Sequence, residues 1–188
     1  MRTLQPPRTQ GGACRWRLDP AFGTVEFAVS HLGIGSLRGH FDDVALLLEY
    51  EREAPESTRL ELLLGPQSVR AGAHGWAPLA ADVFNAGGFG PIHFRSHDAE
   101  VLGAAGLALD GELTVRGITL PATLQLEIRG EATDSAGAQR IGLAGSLRFS
   151  RRAFGIRWPE GQDATLADEL LLALDAELVH DEEPPSAA

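Results

Sequence analysis

From Leu107 to Ile128 the chain alternates twice between apolar and polar positions. Leu107, Leu109, Leu113 and Val115 fall on one face, and Asp110, Glu112, Thr114 and Arg116 on the other. The phase breaks at Arg116-Gly117 and resumes with Leu120, Leu124, Leu126 and Ile128 against Thr119, Thr123, Gln125 and Glu127. A period of two is the mark of a half-buried strand, because successive side chains leave a strand on opposite faces. Two such runs joined by a short Gly turn predict an antiparallel hairpin with one apolar and one wet face.

The same pattern recurs along most of the chain. Trp16–Pro20 predicts a short strand ending in a turn. Thr24–His31 follows, with Val25, Phe27 and Val29 on one side, and bends at Leu32-Gly33-Ile34-Gly35. Ser36–Glu51 reads as one long strand with Val44, Leu46, Leu48 and Tyr50 sharing a face. Leu60, Leu62 and Leu64 point inward from Arg59–Gly65. Ile92, Phe94 and Ser96 share a face in Ile92–Val101, as do Ile141, Leu143, Leu147 and Phe149 in Arg140–Ser150. The last strand, Leu166–Val179, aligns Leu166, Leu170, Leu172, Leu174, Ala176 and Leu178, with Asp168 breaking that face near its mouth. Only Ser68–Ala86 loses the period; Trp76, Leu79, Val83 and Phe84 there suit a short amphipathic helix near Pro78–Phe84. The expected fold is all-β: about eight long antiparallel strands, with one short helix capping them. The expected division is an arm over residues 1–14, a domain over 15–180 and an acidic tail over 181–188. Strands at this spacing make a sandwich or a barrel, and a barrel of this size can enclose one elongated ligand.

Composition narrows the function. A length of 188 residues fits one domain, and 22 Gly with 11 Pro supply the turns an all-β chain needs. The net charge of -10 argues against nucleic acid, whose phosphates require a basic surface. A single cysteine, Cys14, excludes an intrachain disulfide. No apolar run reaches membrane-spanning length, so no stable membrane insertion is expected. The N-terminus lacks the apolar stretch of a secretory signal, which makes a cytoplasmic location the expectation and a periplasmic one the alternative if the start lies upstream.

The chemistry-bearing residues are few. Ser30 and His31 point to opposite faces and cannot pair. No nucleophile elbow, phosphate loop or dinucleotide fingerprint is present. His93 and His97 lie about 13 Å apart on a strand, too far to share a metal. No cofactor is expected. His31, in phase with Phe27 and Val29, either bonds backbone or water or offers a polar contact to a ligand. Arg116 holds neighbouring loops or meets an anionic headgroup. Arg151, Arg152 and Arg157 form a local basic cluster, suited to an anion or to salt bridges with the acidic last strand. Trp76, Phe84 and Phe89 form either an apolar lid or a helix packed on the sheet. An apolar lining with few polar groups suits binding more than catalysis.

Five stretches in order resemble the YceI-like family of polyisoprenoid-binding, lipocalin-like barrels: Trp16-x-Leu18-Asp19-Pro20; Val25-x-Phe27-x-Val29-x-His31-Leu32-Gly33 with Gly39-x-Phe41; Ser68-Val69 with Phe84 and Pro91-Ile92-x-Phe94-x-Ser96; Gly111-x-Leu113-Thr114-Val115-Arg116-Gly117-Ile118-Thr119; and Arg152-x-Phe154-Gly155-Ile156. The resemblance implies an extended eight-stranded antiparallel barrel whose tunnel binds a long amphiphile such as a polyisoprenoid, and a homodimer. The chain departs from the family at Pro78-Leu79-Ala80-Ala81-Asp82-Val83-Phe84-Asn85, where relatives carry a His-Leu-Arg-Ser type of segment. That change points to a different headgroup or a wholly apolar ligand. The expected function is non-enzymatic binding, transport or storage of a polyisoprenoid or quinone-like lipid. The expected ligand contacts are Phe27, Val29, His31, Leu46, Leu62, Trp76, Phe84, Phe94, Leu113, Leu126, Leu147, Arg152 and Leu172. The alternative is a dimeric stress-response or interaction module whose barrel is filled. An enzyme on this barrel would need Asp168 or His31 as its acid or base.

Overall fold

The computed structural model describes residues 14–71, 84, 88–158, 161 and 163–181. These form ten strands: β1 (Arg15–His31), β2 (Gly35–Phe41), β3 (Val44–Glu49), β4 (Arg59–Leu64), β5 (Val69–Ala71), β6 (Ile92–Leu102), β7 (Gly106–Val115), β8 (Ile118–Thr133), β9 (Gln139–Ser150) and β10 (Leu166–His180). Three short 3-10 turns, Pro55–Ser57, Pro66–Ser68 and Asp163–Thr165, accompany them. Every pairing is antiparallel, and β10 pairs β1 to close the sheet. Eight strands make the closed barrel, in the order β1, β10, β9, β8, β7, β6, β4, β3, while β2 and β5 are the two extra strands. Closure removes the exposed sheet edges that an open sheet would leave.

The hairpin at Arg116-Gly117 forms in the expected register, with Leu113 opposite Leu120, Leu109 opposite Leu124 and Leu107 opposite Leu126. Arg116 and Gly117 have φ of 54° and 74°, the paired positive values of a type I′ turn, whose twist matches that of the strands it joins.

Three expectations change. The long strand over Ser36–Glu51 is broken at Asp42-Asp43 into β2 and β3. The Asp43 amide donates to the Ser68 hydroxyl at 2.9 Å and the Gly65 amide to the Asp43 carbonyl at 2.8 Å. This break therefore faces the one between β4 and β5, and the two are stitched together as a corner. The turn expected at Asp19-Pro20 is instead an irregularity inside β1, where the register with β10 shifts between Leu18 and Gly23. β1 pairs β3 through Arg15–Arg17 before this point and β2 from Val25 onward. Finally, β6 carries a bulge between Ser96 and Asp98, so its inward phase passes from Ile92, Phe94 and Ser96 to Ala99. Gly111 lies opposite that bulge, and a Cβ there would come within 2.2 Å of the Arg95 carbonyl oxygen. The helix expected at Pro78–Phe84 lies outside the described residues except for Phe84, which is helical and buried.

The core is the barrel interior. Its walls are leucine-rich because each strand sends alternate side chains inward, and cross-strand register stacks them into layers. One layer runs Phe27, Leu172, Leu147 and Leu124 across four neighbouring strands. A second runs Leu46, Leu62, Phe94 and Leu113.

Candidate functional site

The interior void is walled by Val25, Leu62, Leu64, Ile92, Phe94, Leu113, Leu124, Leu147 and Leu172–Leu174. No ionisable side chain lines it. Its free volume for the centre of a water-sized sphere is about 10 Å³, room for roughly one water. The side chains that line it leave little free space between them.

Leu62, Phe94, Leu113, Leu147 and Leu172, all expected ligand contacts, line this void. Phe27, Val29, Leu46, Phe84 and Leu126 are buried in the same core without bordering it. Trp76 lies outside the described residues. Val25, Leu64, Ile92, Leu124 and Leu174 complete the wall. Alternation marks them as inward, but no sequence signal tells which layer surrounds the void.

Phe27, Phe41 and Phe84 form an aromatic triad beside it, with ring centroids 5.2–6.1 Å apart and edge-to-face angles. The rings meet with positive edges against negative faces, the favoured aromatic geometry. Gly39 makes room for them, since a Cβ there would lie 2.4 Å from the Phe27 ring.

The polar candidates cluster at one end of the barrel, around the β9–β10 loop. Arg151 is fully buried and uses all five N–H groups. Its Nε donates to the Ala167 carbonyl at 2.8 Å. One Nη donates to the Ile156 carbonyl at 3.0 Å and to the Asp163 carboxylate; the other donates to the Asp163 and Leu166 carbonyls at 3.0 and 3.1 Å. Trp158 covers the guanidinium at 5.7 Å. Of the two roles open to the basic cluster, Arg151 pairs with a carboxylate of the loop, Asp163, while Arg152 is the one that approaches a carboxylate of the last strand, Asp168. Burial works against Asp163 ionising, yet Arg151 and the Trp158 amide hold its carboxyl below the usual carboxylate range.

Arg152 is exposed on the same loop, 4.0 Å from both Asp163 and Asp168, and does not border the void. Arg116 donates to the Gly155 carbonyl and so ties the β7–β8 turn to the β9–β10 loop. His31 is half-buried at the end of β1, paired in register with Leu166 and Gly35. Asp168 accepts the Ser150 hydroxyl at 2.7 Å and the Arg152 amide at 3.0 Å. The Ser150 bond in particular holds its carboxyl below its ordinary value. These bonds tie Asp168 to the start of the β9–β10 loop.

A larger concavity of about 370 Å³ lies on the outer face of β3, β4, β6 and β7. Its walls mix Glu49, Glu61 and Glu112 with Arg59 and Arg95, and Glu61 meets His93 at 2.6 Å. Charged walls of both signs suit no long apolar chain. No group of three metal-binding side chains occurs among the described residues.

Comparison with known proteins places this geometry. The YceI-like domain model matches residues 16–178. A UPF0312 protein of Shewanella baltica is 29% identical over 146 residues, 76% of each chain. The crystal structure of Burkholderia cenocepacia BcnA superposes with a TM-score of 0.73 at 18% identity, covering 85% of this chain and 98% of that one. A polyisoprenoid binding domain from Saccharophagus degradans, implicated in plant cell wall breakdown, superposes with a TM-score of 0.62 at 12% identity, covering 90% and 99%. At these identities the two structures share the fold alone.

Proposed function

The chain belongs to the YceI-like family, and from that premise we propose that it is a non-enzymatic binding protein holding a long apolar chain, of the polyisoprenoid or quinone type, inside its barrel for transport or storage. The observation that carries the reading is the wall of the void: apolar on all seven strands that line it, with no ionisable side chain. Burial contributes about 0.8 kcal/mol per CH₂, so an isoprenoid tail is anchored without any headgroup contact. The Saccharophagus domain, named for polyisoprenoid binding, supports the same ligand class.

The small free volume sets how such a ligand is accommodated. A chain of many isoprene units requires the leucine layers to turn outward or the barrel to widen. Binding is therefore coupled to expansion of the core, and affinity reflects tail burial less the cost of that expansion. The void of about 10 Å³ is also the observation that favours a second reading, a filled barrel acting as a dimeric interaction or stress-response module.

Native mass spectrometry of freshly purified protein, followed by organic extraction, separates the two. The carrier reading expects a stoichiometric long-chain lipid, or its uptake when polyprenyl and quinone lipids are offered. A clean ligand-free mass after that exposure overturns it and leaves the filled module.

A further inference from the structure

The end of the barrel that holds the β9–β10 loop is apolar at its tips. Leu32 and Ile34, in the β1–β2 turn, are 61% and 89% exposed. Phe89 and Ile118 are 44% and 40% exposed. Backbone and side-chain contacts join these into one rim. The Leu32 amide donates to the Thr165 carbonyl at 2.8 Å; the adjoining Leu166 carbonyl is held by Arg151; Arg116 binds Gly155 in the same loop. Gly117 lies against Phe89, whose ring a Cβ at that glycine would meet at 3.1 Å.

Turn chemistry does not account for the leucine. Leu32 has φ of 54° and Gly33 of 71°, the type I′ geometry that favours Asn or Asp before Gly. A leucine there is strained backbone carrying a largely exposed apolar side chain. Charge is distributed unevenly as well. Arg152 and Arg157 are exposed on this rim; Arg157 has no ion-pair partner among the described residues, and Arg152 lies at 4.0 Å from Asp163 and Asp168, carboxylates already engaged by Arg151, Ser150 and backbone amides. The opposite end carries Glu51, Glu53, Glu56 and Glu100, which have no ion-pair partner among the described residues, beside Glu131 and Asp134, which pair with Arg52 and Arg140. That end also exposes Phe22, Val101 and Leu102, but Phe22 lies under the Arg140 guanidinium at 5.5 Å and the other two follow Glu100.

We propose that the rim formed by Leu32, Ile34, Phe89 and Ile118 docks on an anionic lipid bilayer, with Arg152 and Arg157 meeting the headgroups. Apolar tips that sink into the interface, flanked by guanidinium groups, are the two signals that reversible membrane attachment needs. The acidic far end is repelled by the same surface, which orients the barrel. The purpose of docking, exchange of the bound chain with the membrane, rests on the carrier reading; the docking itself does not.

The test is flotation of the full chain with phosphatidylcholine vesicles, with and without phosphatidylglycerol, in low and high salt, using vesicles free of isoprenoid. Wild type is expected to float with the anionic vesicles and to be released by salt. Leu32→Asn with Ile34→Thr is expected to lower partitioning by about tenfold or more, while thermal stability holds or rises because Asn suits the turn. Val101→Ser with Leu102→Ser at the opposite end is expected to change nothing. Wild type that ignores every vesicle, or equal losses from the two double variants, overturns the proposal. So does a rim variant that splits a dimer in light scattering with no vesicle binding by wild type, which would make the rim a contact between two copies. Isoprenoid loading is measured separately by mass spectrometry, so an empty barrel that still floats sinks the carrier reading and not the docking.

Discussion

Leu147→Ala tests whether the barrel interior is a place where an apolar chain can lie. Leu147 is 3% exposed, borders the void, and stands in register between Leu124 and Leu172. Truncation removes three carbons, worth about 2.4 kcal/mol at about 0.8 kcal/mol each. The remaining layer is held on three strands and relaxes only in part, so a residual void of about 70 Å³ adds about 1.7 kcal/mol at about 24 cal/mol per Å³. The total is about 4 kcal/mol, and at about 2–4 °C per kcal/mol for a chain of this size the Tm falls by roughly 8–16 °C. The variant also opens space several times larger than the void of about 10 Å³ in the native chain. A short polyprenol or quinone tail supplied at about 100 times its Kd then restores about 2.7 kcal/mol, some 5–11 °C of the loss. Thermal unfolding with and without the lipid reads both numbers. A loss below about 1 kcal/mol would show that Leu147 is not packed as described. The full loss without recovery by any apolar chain would show that the interior does not accept one.

Three further outcomes follow from the polar framework. Arg151→Met strands four carbonyls and the Asp163 carboxylate around one buried side chain; a cost of about 3–5 kcal/mol is expected in denaturant unfolding, with Arg151→Lys intermediate because an ammonium has three donors. Ser96→Ala leaves the buried Leu60 amide, now 2.8 Å from the Ser96 hydroxyl, without an acceptor, and is expected to cost about 1–3 kcal/mol by the same assay. Asp168 is held below its ordinary pKa chiefly by the Ser150 hydroxyl. A depressed carboxylate stabilises the fold above its unfolded pKa of about 3.9 and loses that contribution as pH falls through its folded value. Ser150→Ala is therefore expected to flatten the decline in Tm below about pH 4, and an unchanged acid limb would exclude this contribution.

The period of two carried the reading of the fold a long way. It located the Leu107–Ile128 hairpin to the residue pair, and it placed the inward faces of β4, β9 and β10, because one buried face constrains every second position. It failed where the backbone leaves the simple pleat. The bulge at Ser96 adds a residue that no pattern in Ile92–Val101 announces. The break at Asp42-Asp43 reads as two polar positions in a continuing strand until the opposing Gly65–Ser68 segment is seen to bond to it. Asp19-Pro20 carries a turn signal, yet β1 continues through it because β10 pairs on both sides of the irregularity. The interior was legible as apolar but not as nearly full, since alternation states which way a side chain points and not how far opposite walls stand apart. Arg151 shows the same limit: adjacent to Arg152 and identical in type, it is buried and Arg152 exposed only because the loop carbonyls converge on one of them.

The first and last strands are neighbours on both sides of the irregularity after Leu18, from Trp16 beside His180 to His31 beside Leu166, and the Asp181 amide donates to the Arg15 carbonyl at 2.7 Å. The seam that seals the ring thus joins the strands most distant in sequence among those described. Loop-closure entropy makes it the slowest contact to form, and until it forms both ends of a leucine-rich sheet are unpaired and open to association with other chains. The juxtaposed ends also mean that the ring has no topological beginning: a peptide bridging Asp181 to Arg15, with new termini cut in the exposed Ser135–Gly137 tip, would turn the sealing seam into a local hairpin and leave the same barrel.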